Sequence, residues 1–294
     1  MQRIALIANH SKPQVYGVTL DLMDWLEKRG VEPLVLSGTA ERLGCPERGI
    51  GAEELAKADC VLSLGGDGTL LQAARLVAKM GIPILGINLG HLGFLTEIEL
   101  NDLFPSLERL IKGDFRIEER MMLSAWLERD GRRTSFTALN DVVITKGAFS
   151  RMLRLEVYVG EAYLDTYPAD GLIVSSPTGS TAYSLSAGGP LVSPELQVMI
   201  ITPICPHTLY ARPLVVRGDR EIRVRVHAPG AEVMLTVDGQ QGVPLDHGDE
   251  VITSRAGVPA RLIRLQGRSF YSLVREKLRE GGNRHSLEEP GDGE

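Results

Sequence analysis

The sequence has few aromatic residues, no excess of positive charge and no long apolar run. Aromatic residues make up 5% of its 294 residues, and 32 Lys and Arg stand against 38 Asp and Glu, a net charge of −6. Nucleic-acid binding needs a cationic face and often aromatic stacking platforms, so the composition argues against a nucleic-acid partner. No apolar stretch approaches the roughly 18 residues of a membrane-spanning helix, so no membrane partner is expected.

Cysteine is scarce as well. Cys45, Cys60 and Cys205 are odd in number, far apart and free of any Cys-x-x-Cys pair. The sequence therefore supports neither a disulfide framework nor a zinc site, and no dedicated metal site is expected. The apolar run at residues 4–8 is too short for a signal peptide and is typical of a buried strand, so we expect a cytoplasmic protein.

The first hundred residues alternate short apolar runs with segments of helical spacing. Strands are predicted at residues 4–8, 33–36, 60–64 and 82–87. Helices are predicted at residues 15–26, 52–58, 70–77 and 100–111. Repeated strand–helix–strand units with continuously apolar strands predict a parallel sheet that is covered on both faces.

The pattern changes after this region. From about residue 115 to 264, apolar residues recur at every second position, which is typical of antiparallel strands. Asp130-Gly131 and Gly160-Glu161 each stand between two such runs and predict hairpin turns. This half of the chain is therefore predicted to form an antiparallel sandwich or barrel.

Residues 270–279 return to helical spacing, and this last helix is expected to pack back on the first domain. The predicted architecture is thus α/β plus all-β. It has an N-terminal Rossmann-like α/β domain (1–112 plus 265–280) and a C-terminal antiparallel β-sandwich domain (113–264). The polar, Gly- and Glu-rich residues 281–294 are predicted to be a disordered tail.

Glycine is abundant, with 32 residues, and it clusters after the predicted strands. The third strand runs into Gly65-Gly66-Asp67-Gly68-Thr69, at the sheet edge where open α/β folds bind ligands. Missing Cβ atoms let a phosphate approach the backbone, Asp67 can accept a proton, and Thr69 can cap the next helix. A plain strand–helix turn capped by Asp67 fits the local pattern equally well. The spacing matches neither Gly-x-Gly-x-x-Gly nor a Walker loop.

A second glycine loop follows the fourth strand at residues 88–97, so both loops are expected at one edge of the sheet, which favours a cleft there. Its His91 is a catalytic candidate, although loop histidines are more often structural, and Phe94 is expected to line the cleft. Farther on, Asn140-Asp141 can hydrogen-bond vicinal ribose hydroxyls or form an Asx turn.

The hydroxyl-rich residues 167–190 follow and enclose an apolar strand at 172–174. Such a segment is expected to supply neutral donors and acceptors to a phosphorylated ligand. Asp238-Gly239-Gln240 predicts a late hairpin turn.

Taken together, these segments resemble the NAD kinase family. The Gly-Gly-Asp-Gly loop alone is weak, because lipid kinases and phosphofructokinases share it, whereas the ordered set is specific. The matching segments are Asn9, Lys12-Pro13, residues 65–69, residues 88–95, Asn140-Asp141, Asp170-Gly171, residues 175–184 and residues 238–240.

The resemblance implies phosphoryl transfer from ATP or polyphosphate to the 2′-hydroxyl of the adenosine ribose of NAD, with Mg²⁺ carried by the donor. Asp67 would be the catalytic proton acceptor. Gly65, Gly66, Gly68 and Thr69 would form the phosphate-binding loop. The NAD-binding residues would be Asp67, Gly68, Phe94, Asn140, Asp141, Arg151, Asp170, Thr181, Ala182, Tyr183, Ser186 and Gln240. The family also implies a homodimer or homotetramer.

One position departs from the pattern: Gln72 stands where a number of members have a basic or imidazole side chain. Two other functions remain open, namely a related lipid or sugar-phosphate kinase and a non-catalytic dinucleotide sensor. The sequence does not decide between ATP and polyphosphate or between NAD and NADH. Oligomer size and feedback by NADP(H) are not encoded in these patterns either.

Overall fold

The structure, a computed structural model, describes residues 1–90, 93–148, 150–265, 267 and 269–283, with side chains up to residue 277. The strands are β1 Arg3–Ala8, β2 Glu32–Leu36, β3 Gly49–Ile50, β4 Cys60–Gly65, β5 Ile84–Asn88, β6 Ile98–Glu99, β7 Arg116–Arg120, β8 Leu123–Arg129, β9 Arg132–Ala138, β10 Asp141–Lys146, β11 Leu153–Val159, β12 Ala162–Ala169, β13 Gly171–Ser175, β14 Val198–Ile204, β15 Leu214–Arg217, β16 Ile222–His227, β17 Val233–Val237, β18 Gln241–Leu245, β19 Glu250–Arg255 and β20 Ala260–Arg264. The α-helices are α1 Gln14–Glu27, α2 Ser37–Arg42, α3 Asp67–Val77, α4 Leu103–Ile111, α5 Tyr183–Ser186 and α6 Phe270–Asn283. Short 3₁₀ turns lie at Pro46–Arg48, Ala52–Lys57, Ala78–Met80, Leu100–Asp102 and Thr178–Thr181.

The first sheet has the order β3-β2-β1-β4-β5-β20-β7, with β6 paired to β5. Its central strands are parallel and buried on both faces, which confirms the predicted parallel sheet. Successive residues of β1 enter different cores: Ile4 packs in the cluster of α1 and α4, and Ala5 packs in the cluster of α3. Continuous apolar strands are required here because neither face meets water.

The other two sheets each have six antiparallel strands, in the orders β15-β14-β13-β10-β17-β18 and β12-β11-β16-β19-β8-β9. Their inward side chains form one core, so the predicted β-sandwich is confirmed. The Asp130-Gly131 hairpin is confirmed too, and both residues have a positive φ, 50° and 71°. A type I′ turn needs that conformation at its two central residues.

Two strands of the first sheet, β7 and β20, come from the range 113–264 that the sequence pattern places in the second domain. They pair with each other antiparallel, and Leu262 of β20 pairs with Ile84 of β5. Periodicity identifies a strand but not the sheet that it joins, which explains the difference. The domain division itself stays a prediction. At the level of sheets, the chain passes between the two parts at residues 121–122 and 256–259.

The final helix α6 begins against the first part of the chain. Its Phe270 and buried Leu273 line the same cavity as Phe94 and Leu95 of the second glycine loop. The helix continues to Asn283, past its predicted end at residue 279, so residues 281–283 of the predicted disordered tail are helical instead. The remainder of the predicted tail, 284–294, lies outside the described residues. Among the described residues, no helix is both long and apolar enough to cross a membrane.

Candidate active site

The first glycine loop lies at the carboxyl end of β4, beside the end of β5, where Gly65 pairs with Asn88. Asp67 is the first residue of α3 and is half-buried. A Cβ on Gly65 would lie 2.1 Å from Thr69 Oγ1, so this position requires glycine. Thr69 is buried against Gly65 and does not cap α3, contrary to the prediction, because Gly66 occupies the cap position.

The Asp67 carboxylate joins the two glycine loops. Its Oδ2 accepts the N–H of Phe94 at 2.8 Å, and its Oδ1 accepts those of Leu95 and Thr96 at 3.1 and 3.2 Å. A Cβ on Gly93 would lie 2.0 Å from Asp67 Oδ1, so glycine is required there as well. Asp67 therefore organises the second loop. The catalytic candidate His91 lies outside the described residues, as does Leu92.

The Asn140-Asp141 pair stands at the start of β10 and is held by Asp238. The Asp238 carboxylate accepts the N–H groups of Leu139, Asn140 and Asp141 at 3.1, 2.8 and 3.2 Å. The Oδ1 atom of Asn140 is buried and has no hydrogen-bond partner among the described residues. The protein therefore leaves this acceptor unsatisfied, and the alternative Asx turn is not made through it.

The hydroxyl-rich segment packs directly on this pair. Ser176 N–H donates to Asn140 O at 2.8 Å, and a Cβ on Gly179 would lie 2.1 Å from the same oxygen. Ser180 and Ser184 are buried and bond to protein atoms, Ser180 to Pro177 O at 2.7 Å. Part of the segment therefore bonds to the protein itself, and its contribution to a ligand site stays a prediction. The residues implied by the resemblance, Thr181, Ala182, Tyr183 and Ser186, are at least partly exposed.

The structure brings most other predicted site residues to the same region. Gln240 Nε2 donates to Gly68 O at 2.7 Å, so the late turn touches the first glycine loop. Thr181 and Phe94 line one cavity of about 310 Å³. Asp170 instead forms an ion pair with Lys146 at 3.0 Å, and Arg151 is exposed. The described contacts do not link those last two residues to the glycine loops.

Two arginines at the site escaped the sequence analysis. Arg75 of α3 binds Asp238 at 2.7 Å, and Arg120 of β7 lies 2.7 Å from Glu118 and 3.4 Å from Thr178 Oγ1. Burial lowers the pKa of Arg120, and the Glu118 carboxylate opposes that shift. Neither arginine belongs to a recognisable motif, because each is defined by a partner that only the fold brings near.

Asp141 is nearly fully buried. Burial, and secondly the negative charge of Asp238, raise the pKa of Asp141 from 3.8 to about 7. Below that pH the folded chain keeps a neutral carboxyl at this position, which can donate a hydrogen bond. Above it the carboxylate is an acceptor only.

This raised pKa predicts a pH-dependent stability. Between about pH 4 and pH 7 the folded chain holds a proton that the unfolded chain has released, so the free energy of unfolding falls as pH rises. We expect Asp141→Asn to remove about 2–4 kcal/mol of this fall, as measured by urea unfolding from pH 4.5 to 8. Asp130→Asn, at an exposed turn, is the matched control and should keep the wild-type slope. If the free energy of unfolding changed with pH equally in wild type and Asp141→Asn, the raised pKa of Asp141 would be contradicted.

Comparisons with known proteins agree with this geometry. Family models of the ATP-NAD kinase N-terminal and C-terminal domains match residues 4–115 and 139–265. The NAD kinase of Moorella thermoacetica is 68% identical over 290 residues, covering 99% of this chain and 93% of that protein. The NAD kinase of Heliobacterium modesticaldum is 52% identical, covering 96% of this chain and all (100%) of that protein.

Solved structures show the same fold. Yeast NADH kinase complexed with NADH superposes with a TM-score of 0.87 at 24% identity, covering 95% of this chain and 88% of that chain. An NAD kinase from Archaeoglobus fulgidus in complex with ATP gives a TM-score of 0.74 at 25% identity, covering 95% and 99%. The resemblance noted in the sequence motifs is thereby confirmed. The chain belongs to the NAD kinase family.

Proposed function

We propose that the protein transfers the γ-phosphoryl group of ATP to the 2′-hydroxyl of the adenosine ribose of NAD, giving NADP. The observation that carries this proposal is the Asp67 carboxylate, placed where two glycine loops meet at the carboxyl edge of the first sheet. Membership of the NAD kinase family supports NAD as the acceptor. The ATP complex of the Archaeoglobus relative supports ATP as the donor.

Asp67 is proposed to take the hydroxyl proton on Oδ2. Each carboxylate oxygen offers about two lone pairs, and Oδ2 accepts one described N–H whereas Oδ1 accepts two. In the reaction the ribose O–H bond breaks and its proton moves to Oδ2. The ribose oxygen bonds to the γ-phosphorus, and the bond from that phosphorus to the β–γ bridging oxygen breaks, releasing ADP.

The acceptor is proposed to lie between Asp67 and the Asn140-Asp141 pair. The free Asn140 Oδ1 can accept a ribose hydroxyl, and Asp141 stands beside it. The remaining proposed NAD contacts are Gly68, Phe94, Arg151, Asp170, Thr181, Ala182, Tyr183, Ser186 and Gln240. Arg151 and Asp170 require the ligand to extend beyond the glycine loops, which suits a dinucleotide.

The donor is proposed to bind over the first glycine loop. Helix α3 begins there, and the first N–H groups of a helix favour phosphate. A cavity of about 330 Å³ adjoins the loop, and Lys12 and Gln72 line it. Gly66, Gly68 and Thr69 also line this cavity, and together with the adjacent Gly65 they are the proposed phosphate-binding loop. Mg²⁺ is proposed to enter as part of the donor, since magnesium is usually held by phosphates and one or two carboxylates.

The protein is proposed to be a homodimer or homotetramer. Leu209 and Tyr210 are 86% and 91% exposed, and they precede β15, which forms one edge of its sheet. An exposed apolar segment beside a strand edge is a usual subunit contact.

We also propose a cytoplasmic location, supported by three free cysteines, as in a reducing compartment. Light scattering and cell fractionation test these two proposals.

The function is tested by incubating the purified protein with NAD, Mg²⁺ and either ATP or polyphosphate. An NADP-specific dehydrogenase reports the product, and NADH replaces NAD in a parallel reaction. We expect NADP with ATP as donor. No NADP with either donor would overturn the kinase assignment, and tight NAD binding without turnover would favour a dinucleotide sensor.

A further inference from the structure

Arg75 is a partly buried cation on the face of α3 that packs against β9 of the β-sandwich, eight residues after Asp67. Its Nη1 lies 2.7 Å from Asp238 Oδ2, and the two side chains are 12% and 0% exposed. Its Nη2 donates to Gln240 Oε1. One guanidinium therefore holds both ends of the late hairpin turn against the helix that begins with Asp67.

Asp238 transmits this contact to the acceptor pair. Its two carboxylate oxygens accept the N–H groups of Leu139, Asn140 and Asp141, and its own N–H donates to Asp141 O at 3.0 Å. The carboxylate thus fixes the backbone of both residues proposed to bind the ribose. A buried carboxylate with no counter-ion is costly, and Arg75 is the cation that the structure places against Asp238.

Gln240 completes a second link. Its Oε1 accepts from Arg75, and its Nε2 donates to Gly68 O at 2.7 Å. The first glycine loop is therefore fastened to the same turn that fixes Asn140 and Asp141. The two halves of the proposed active site meet at one arginine.

We propose that Arg75 is a positioning residue for the acceptor, setting the distance between Asp67 and the Asn140-Asp141 pair through Asp238 and Gln240. The inference rests on the proposed function. Arginine suits this role because its planar fork bonds two acceptors at fixed angles, which a lysine ammonium does not reproduce. Arg75 itself contacts no part of the proposed substrate positions, so its effect passes through other groups.

The test compares Arg75→Met and Arg75→Lys with Arg129→Met. Arg129 is the matched control, because it binds the buried carboxylate of Asp249 at 2.5 Å, and Asp249 also accepts a backbone N–H at 2.7 Å. That pair lies within the β-sandwich and touches neither glycine loop. For Arg75→Met we expect kcat/KM for NAD to fall by about 10- to 100-fold. Arg75→Lys should recover part of this loss, and Arg129→Met should stay within about twofold of wild type.

Two further readouts separate positioning from general stabilisation. Arg75→Met should weaken NAD binding by at least about tenfold in calorimetry. The part of the kcat/KM pH profile that Asp141 governs should move to higher pH, because Asp141 would then lie beside an Asp238 carboxylate without its counter-ion. The pair Arg75→Met and Asp238→Asn should be non-additive, with the double variant no slower than the slower single variant.

The proposal would be overturned if Arg75→Met kept the wild-type pH profile and NAD affinity and lost only as much stability as Arg129→Met. The Arg75–Asp238 ion pair would then be structural. Additive effects with Asp238→Asn would also overturn it, since they would mean that Arg75 acts without Asp238. Wild-type protein in the same assay separates failure of the proposed function from failure of the inference about Arg75. Wild type that makes no NADP and binds no NAD contradicts the proposed function, whereas active wild type with an unaffected Arg75→Met contradicts only this inference.

Discussion

Asp67→Asn is expected to lower kcat for NADP formation by about 10²- to 10⁴-fold, the range over which a general base contributes. The amide has no basic oxygen for the ribose proton. It also turns an NH₂ group toward one of the N–H donors of Phe94, Leu95 and Thr96, which now meet a carboxylate. NAD affinity should change by less than about tenfold, because the Asn140-Asp141 pair is held by Asp238 and not by Asp67.

The matched control is Asp59→Asn. Asp59 also accepts two backbone N–H groups, those of Gln2 and Arg3, but it lies at the opposite end of β4 from the glycine loop. Asp59→Asn should show the loss of stability that follows when a carboxylate accepting backbone N–H groups is replaced. Its kcat should stay close to wild type. NADP formation by the coupled dehydrogenase assay and NAD titration by calorimetry are the measurements. A kcat within about tenfold of wild type for Asp67→Asn would remove Asp67 as the proton acceptor.

The position of Asp67 was predictable because it depends on local rules. A continuously apolar strand followed by Gly65-Gly66 fixes the carboxyl edge of a parallel sheet, and the second loop after β5 must then lie beside it. The Asp130-Gly131 hairpin was predictable for the same reason, since the turn type follows from two adjacent residues. Such features can be predicted from a few adjacent residues, because they do not depend on residues far away in the sequence.

Long-range partnerships were not predictable. Arg75 and Asp238 are 163 residues apart, and nothing in either local segment indicates the other. Ser180 and Ser184 belong to the segment that was expected to supply donors to a ligand, and the fold bonds their hydroxyls to Val192 O and Thr202 Oγ1. Ser and Thr are ambiguous in this way because the same hydroxyl satisfies a buried carbonyl or a ligand equally well. Polar and charged residues in the sequence therefore indicate where the site lies. The fold determines which of their side chains can still bind a ligand.

The second large effect is expected for Gly93→Ala. A Cβ at this position would lie 2.0 Å from Asp67 Oδ1 and 2.5 Å from Oδ2, so the carboxylate must rotate away. It would then lose its bonds to the loop and its alignment with the ribose. We expect kcat to fall by about 100-fold, the effect of moving a catalytic group by about 1 Å, and stability to fall by about 1–3 kcal/mol.

Gly51→Ala provides the control for this substitution, because φ there is −74° and, apart from its chain neighbours, no described residue has an atom within 4 Å of the added Cβ. It should leave kcat and the urea midpoint near wild type. The decisive comparison is the double variant Gly93→Ala with Asp67→Asn. Since the alanine is expected to act only by displacing the Asp67 carboxylate, it should slow the Asp67→Asn enzyme by less than about twofold. A further hundredfold loss in the double variant would mean that Gly93 serves the reaction through a separate contact, such as close approach of the loop backbone to the nucleotide.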